Sequence, residues 1–477
     1  MALPSPTRLV DDDRRKRIPE EGLLMTPSTA PNVVFILVDN CGWGDFSCYG
    51  GTVPTPRIDS LAADGMRLNN YTVEAQCTPT RSAILTGRLP VRSGTTKVPL
   101  PGQGDSGLAP WEYTLAELFS DAGYATGAFG KWHLGETPGR LPIDQGFDEW
   151  FGIKNSSDEA GYSSYPRFGE LGVPEPQWWE GIKGKSVTAA GVFDREAKDL
   201  GDEKITARTV DFIRRHAETQ KPFFAYTALL QIHPPVGVHP DFEHTSGGGL
   251  YADCLTEIDF RVGEILDAID AAGIAQNTIV VFSSDNATSP LKGSDGGSNG
   301  PWRGDFFNPP FEGSYRVSAL IRWPDHIPAG RQSQELLSAV DWLPTLAGLA
   351  GQSQRVPTDR PIDGVDAADH LLGKQDTSGR DAVLYFGLDG RLMSVKWQNF
   401  KVVFRKSDAI GEPITDVQLP MVFNLIGDPG ERFNLWEVSM DMGWVMRPVQ
   451  EQIAQFQQSA AEYPHIATGE DFKGYPD

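Results

Sequence analysis

At 477 residues the chain exceeds what one compact core ordinarily holds, which predicts a large domain with a smaller companion. Its composition, 39% hydrophobic and 22% charged, is that of a globular protein. A net charge of −22 argues against nucleic acid and anionic membranes as partners, and any site for an anion must then be positive only locally.

Residues 1–30 read as a flexible arm, polar and charged through Asp11 to Arg17, with no apolar stretch of signal-peptide length. No later run reaches membrane-spanning length, so a soluble, cytoplasmic protein is expected. The four cysteines, Cys41, Cys48, Cys77 and Cys254, form no disulfide framework. Residues 32–38 (N-V-V-F-I-L-V) are continuously apolar and β-branched, as a strand covered on both faces of a parallel sheet should be. Helical segments follow at 56–64 and 115–122, and further buried strands at 125–129, 223–230 and 278–283. A helix over 250–272 carries Leu255, Ile258, Val262, Ile265, Leu266 and Ile269 at helical spacing and stops at Gly273. This alternation predicts an α/β sandwich on a large, mainly parallel sheet over 31–372. Beyond a polar linker at 373–380, short alternating segments predict a small C-terminal α+β domain, 373–477, with an antiparallel sheet and a closing helix near 449–463.

Each predicted strand of the large sheet leads into polar residues. Val38 precedes Asp39 and Asn40, Phe129 precedes Lys131 and His133, Leu230 precedes His233, and Ser283 precedes Asp285 and Asn286. Ligands of open α/β sheets bind outside the carboxyl ends of strands, so these ends predict one site. Asp39, Asn40, Asp285 and Asn286 are oxygen donors, a set that suits Ca²⁺ or Mg²⁺ and not zinc. Either pair alone could equally cap a helix or shape a turn; two pairs, each ending a buried strand, favour metal. Cys77-Thr78-Pro79-Thr80-Arg81, continuing to Thr86-Gly87-Arg88, sets a thiol beside two arginines, with the proline fixing a turn. A reactive side chain next to positive charge suits anionic-ester chemistry.

This stretch resembles the signature of the formylglycine-dependent sulfatases, arylsulfatase-like members of the alkaline phosphatase superfamily. Gly130-Lys131-Trp132-His133-Leu134-Gly135, Ser284-Asp285-Asn286 and the segment Phe423 to Arg432 resemble further family segments, so the likeness runs from about 31 to 463. The resemblance implies that a formylglycine-generating enzyme oxidises Cys77 to formylglycine, which binds the cation together with Asp39, Asn40, Asp285 and Asn286. It implies hydrolysis of an organic, aryl-type sulfate ester: a hydroxyl of the hydrated aldehyde, polarised by the cation and Arg81, attacks sulfur. Lys131 then offsets charge on the sulfuryl oxygens, His233 serves the leaving oxygen, and His133 assists collapse back to the aldehyde. His239 is the lesser alternative to His233. Ser156 is placed to position the sulfate, with a turn serine as the alternative. Asp428-Pro429-Gly430 is read as a structural turn joining the small domain to the large one.

Two departures stand out. Asn40 occupies the place of a second aspartate, and 301–313 lacks the lysine that many members carry before the Glu312-Gly313 element. The pair of changes preserves local neutrality, and Arg303 is the expected replacement for that lysine. Phe306 and Phe307 are read either as an apolar substrate wall or as core. The insertion 155–192, with Tyr162, Tyr165, Trp178 and Trp179, is expected to shape the leaving-group pocket or to anchor its own loop. The rival readings are a phosphonate or phosphate ester hydrolase using the same centre, and a non-catalytic binding protein in which Cys77 stays a thiol.

Overall fold

The computed structural model describes residues 30–100, 106–288, 296–307, 309–407 and 412–476; the arm expected at 1–30 falls almost wholly outside them. A ten-stranded sheet organises the chain. Its five central strands, Thr278–Ser284, Asn32–Val38, Phe223–Ala228, Ala125–Lys131 and Glu149–Ile153, are hydrogen-bonded in that order and all parallel. Asn32–Val38 sits at the centre, and every one of its residues is buried. Val33, Phe35 and Leu37 enter one core layer, and Val34, Ile36 and Val38 the other. That is why its sequence shows no polar alternation.

The layer on one face is filled by helix Leu250–Ala271, through Ile258, Val262 and Ile265, and by helix Gly201–Thr219, through Ile205 and Phe212. The opposite layer holds Leu115 and Phe119 of helix Leu115–Asp121, Ile84 of helix Cys77–Thr86, and Leu343 and Leu346 of helix Trp342–Leu349. Helix Leu115–Asp121 starts with a reciprocal cap: Thr114 accepts from the Glu117 amide while the Glu117 carboxylate accepts from the Thr114 amide.

Antiparallel strands extend the sheet at both edges. Ala319–Arg322 pairs with Thr278–Ser284, and Gln177–Ile182 with Glu149–Ile153. The latter narrows the reading of 155–192 as a pocket-shaping loop to its first half, because its second half forms the strands Gln177–Ile182 and Thr188–Val192. Trp178 stacks on Phe151, with ring centroids 5.1 Å apart, and is a core residue; Tyr165 is 73% exposed.

The C-terminal part is a four-stranded antiparallel sheet, Ala382–Phe386, Leu392–Trp397, Phe400–Lys406 and Thr415–Asn424. Helix Met446–Glu462 covers it through Val449. The chain then returns to the large sheet's layer, where the Ile466 amide donates to the Arg92 carbonyl and Arg88 donates to the Tyr475 hydroxyl. Asp428 shapes the turn by accepting from the Arg432 and Phe433 amides. The join to the large sheet is made by Glu431, whose carboxylate accepts from the Glu312 amide at 2.6 Å.

Candidate active site

The carboxyl ends of the central strands converge. The first strand delivers Asp39 and Asn40, the neighbouring strand at 278–284 delivers Asp285 and Asn286, and the strand at 125–131 ends on Lys131 itself. Gly130 has φ +106°, and a Cβ there would lie 1.8 Å from the Ala228 carbonyl oxygen, so only glycine lets this strand end so close to its neighbour. Asn40 and His133 also have positive φ, 59° each. These conformations turn the two side chains out of their strand directions, at a cost that asparagine and histidine bear better than most residues.

Cys77 opens helix Cys77–Thr86 from the side and is 2% exposed. Pro79 therefore lies in the first turn of a helix, where proline is tolerated, and does not fix a turn as the sequence alone suggests. The thiol lies 3.2 Å from Asn286 Oδ1, 3.6 Å from Asp39 Oδ1 and 3.3 Å from Lys131 Nζ. Burial, then the carboxylates of Asp285 and Asp39, push this thiol well above its ordinary range, so the unmodified side chain is a protonated, poor nucleophile.

Two cations balance the two carboxylates. Lys131 Nζ donates to Asp39 Oδ2 at 2.7 Å, and Arg81 donates through Nε and Nη2 to Asp285 Oδ2 at 2.9 and 2.7 Å. The third arm of Arg81, Nη1, donates to the Lys131 carbonyl at 2.6 Å, which fixes the guanidinium. All four side chains are fully buried. Burial opposes ionisation of Asp39, but Lys131, His233 and Arg81 outweigh it and hold the carboxyl far below its usual range. Asp285 goes the other way: burial and the Asp39 charge raise it to about 6 despite Arg81.

That imbalance coincides with an orphan. Asp285 Oδ1 is buried and has no hydrogen-bond partner among the described residues. Asn286 donates from its amide nitrogen to Asn40 Oδ1, which leaves Asn286 Oδ1 turned to Cys77. An unpartnered carboxylate oxygen among amide and carboxylate oxygens, with the Cys77 position alongside, fits a hard divalent cation. Asp39, Cys77 and His233 also offer donor atoms that all lie within 4.8 Å of one another.

The two histidines stand on the open side. His133 is 2% exposed, and its Nδ1 has no partner among the described residues; burial, then Lys131 and Arg81, hold the ring well below its usual pKa. His233 Nδ1 lies 2.7 Å from the Pro234 carbonyl, which assigns the proton to that nitrogen and leaves Nε2 near Ser156 Oγ at 3.3 Å. Burial, then Lys131, also lowers His233. Ser156 hydrogen-bonds Asp158 as well, at 2.9 Å, so it bridges the imidazole to a carboxylate. A pocket of about 390 Å³ opens here, bounded by Asn40, His133 and His233 at its base.

Cys77, Arg81, Lys131, His133, His233 and the two Asp-Asn pairs are thus brought together, with Ser156 at the rim. Arg303 is not: its guanidinium donates to the Glu431 carbonyl at 2.9 Å and stacks on Phe311 at 3.6 Å, which corrects its expected place in the site. Phe306 lines the pocket, whereas Phe307 belongs to a buried cluster with Tyr315 and Tyr385. His239 pairs with Glu203 at 3.3 Å, away from the cluster. Tyr162 lines the pocket, as expected of the insertion 155–192, and so do Asp158 and Glu159, which lie in that insertion but were not singled out; the Val98-Pro99-Leu100 stretch was missed. For Asp158 and Glu159 the signals were their place in that insertion and just after Ser156; Val98-Pro99-Leu100 carried none.

Comparison with known proteins identifies the family. The family model for Sulfatase matches residues 31–352. N-acetylgalactosamine-6-sulfatase of Canis lupus familiaris is 34% identical over 460 residues, covering 90% of this chain and 86% of the relative. Human arylsulfatase A is 33% identical, covering 85% of this chain and 83% of the relative. Among solved structures, the PsFucS1 sulfatase of Pseudoalteromonas sp. superposes with a TM-score of 0.85 at 29% identity, covering 93% of each chain. The chain therefore belongs to the sulfatase family, enzymes that hydrolyse sulfate esters.

Proposed function

We propose that this enzyme cleaves aryl-type organic sulfate esters at the Cys77 cluster, with residue 77 matured to formylglycine and a Ca²⁺ or Mg²⁺ ion held by Asp39, Asn40, Asp285 and Asn286. The observation that carries the reading is the placement of Cys77 Sγ within 3.2–3.6 Å of Asn286, Asp39 and Lys131, beside the orphaned Asp285 oxygen. When present, the aldehyde hydrate supplies an oxygen nucleophile that the raised thiol cannot, and the cation supplies charge neutralisation.

The chain's own residues do the rest. Lys131 and Arg81 bring fixed positive charge to a buried site, where it stabilises developing charge on sulfuryl oxygens without reorganisation. The anion-binding problem posed by a net charge of −22 is solved by their complete burial, away from the surface field. His233, tethered at Nδ1, presents Nε2 toward the leaving group, with Ser156 and Asp158 restraining the ring. It donates to the leaving oxygen in its doubly protonated form, giving up the Nε2 proton as the S–O bond breaks. His133, with Nδ1 unpartnered, takes a proton from the side of residue 77. Apolar walls from Val98, Pro99 and Phe306 suit a flat leaving group.

The test pairs mass with activity. A peptide containing residue 77 should show the mass loss of thiol-to-aldehyde conversion, and the same preparation should release sulfate from 4-nitrophenyl sulfate. An unconverted thiol with full activity would refute the formylglycine role. A large preference for 4-nitrophenyl phosphate would instead assign a phosphate ester hydrolase.

A further inference from the structure

The cluster that receives the sulfate is cationic, but the pocket in front of it is not. Among its described lining residues there is no lysine or arginine, while Asp158 and Glu159 both border it. Lys131 and Arg81 lie fully buried behind the base of the pocket and are engaged with Asp39 and Asp285. Lys154, which feels the charge of Glu159, stacks its ammonium on Trp179 at 3.7 Å and does not line the pocket; the cation that acts on Glu159 is the buried Lys131. Glu159 Oε1 is buried and without a partner among the described residues, so one acceptor is left for whatever enters. Asp158 is more open, 58% exposed, with one oxygen already on Ser156.

A leaving group that carried a second sulfate or a carboxylate would bring its charge into the same 390 Å³ as these two acids. Like charges a few ångströms apart in a partly desolvated pocket repel strongly, and no described lining cation offsets them. A ring with an apolar face and outward hydroxyls meets the opposite situation. Its face packs on Val98, Pro99 and Phe306, and its O–H groups donate to carboxylate oxygens. The acids are thus recognition groups for hydrogen-bond donors as well as a barrier to anions.

The geometry points to an enzyme selective for sulfate monoesters whose leaving group is an uncharged, hydroxyl- or N–H-bearing ring, with Glu159 and Asp158 as the residues that exclude polyanionic esters. This rests on the sulfate-ester reading above and narrows its substrate class. His133, unpartnered at Nδ1 and 98% buried by its 2% exposure, marks the end of the pocket where the ester oxygen is delivered.

The test is a matched fluorogenic pair: 4-methylumbelliferyl sulfate, and the analogue in which the 4-methyl group is replaced by a carboxymethyl group. The added carboxylate lies across the ring system from the ester, so the reacting bond changes little. At pH 8, above the value near 7 to which burial lifts Glu159, the carboxylate ester should show kcat/KM lower by about tenfold or more, mostly through KM. High salt should narrow the gap. Glu159→Gln should narrow it about threefold or more. Equal kcat/KM for the two wild-type reactions, or a preference for the carboxylate ester, overturns the selectivity and leaves the hydrolase reading standing. Failure to cleave either ester overturns both.

Discussion

Two buried charge clusters among the described residues invite comparison, and their difference separates the proposed active centre from a structural joint. One is the Asp39, Arg81, Lys131 and Asp285 group at the strand ends. The other lies between the two sheets, where Glu312 receives Arg316 at 2.7 Å, Lys401 at 2.7 Å and Lys396, while Lys396 also donates to Asn70 at 2.7 Å. Both are fully buried or nearly so. In the joint, both oxygens of Glu312 carry ion pairs, and its carboxyl is held well below the usual range: burial opposes this, but Lys396, Lys401 and Arg316 prevail. Glu312 Oε2, Lys401 Nζ and Glu431 Oε1 in the joint also lack a hydrogen-bond partner among the described residues, but they stand in ion pairs with one another, at 2.7 and 3.7 Å. At the strand ends Asp285 Oδ1 and His133 Nδ1 have neither a hydrogen bond nor an ion pair among the described residues, and the group opens on a pocket. A network whose charges are all paired holds elements together, whereas an unpaired acceptor facing a pocket is free to take a ligand.

The comparison is broken most severely at residue 77. Cys77→Ala should lower sulfate ester turnover by about 10⁴-fold or more while leaving thermal unfolding nearly unchanged, since it removes the proposed nucleophile and no packing of consequence. Steady-state assay beside a melting curve separates the two. Glu312→Gln should do the reverse. It strands buried cations and should cost about 3–5 kcal/mol in denaturant unfolding, with loss of turnover only in proportion to the unfolded fraction. Should Glu312→Gln instead abolish turnover in protein that remains folded, the joint would be part of the catalytic machinery.

Cation removal comes next. Chelation should abolish turnover reversibly and lower the melting temperature, and re-addition of Ca²⁺ at ~100-fold its Kd should restore about 2.7 kcal/mol of stability. The joint, holding its own counterions, should be indifferent to it, so Glu312→Gln and chelation should add.

The smallest expected effect lies at the pocket wall. Glu159 titrates near 7 in the folded protein, pushed up by burial, against 4.5 ordinarily. Between those values the folded state binds the extra proton, so this group costs stability as pH rises from about 4.5 to 7. Glu159→Gln should therefore stabilise the protein by about 1–2 kcal/mol at pH 8, after allowance for partial solvent access, and by nothing at pH 4.

How much of this was legible depended on whether a residue's role was local in the chain. The strand Asn32–Val38 matched its predicted bounds because a two-sided core demands an unbroken apolar run. The Asp-Asn pairs, Lys131, His133 and His233 could be placed because strand ends in parallel sheets converge by topology alone. The edge strands at 177–192 were missed, since an exposed antiparallel ribbon rich in glycine carries little apolar pattern: every residue of Thr188–Val192 is exposed. Arg303 was misplaced for a related reason. Charge conservation can be argued from sequence, but the partner that captured the guanidinium, the Glu431 carbonyl, lies 128 residues away. Asp158 and Glu159 lie in the insertion expected at the pocket, but they could not be singled out within it because a helical turn after Ser156, and not a strand, brings them to the pocket.

The most direct measurement is a crystal structure of the mature enzyme with anomalous scattering recorded for the cation. The account predicts an ion within about 2.3–2.6 Å of the unpartnered Asp285 oxygen, touching Asp39 and Asn286 oxygens and the side chain at position 77, refined as a hydrated aldehyde. A thiol at position 77 with only water beside Asp285, in protein that hydrolyses sulfate esters, would contradict it.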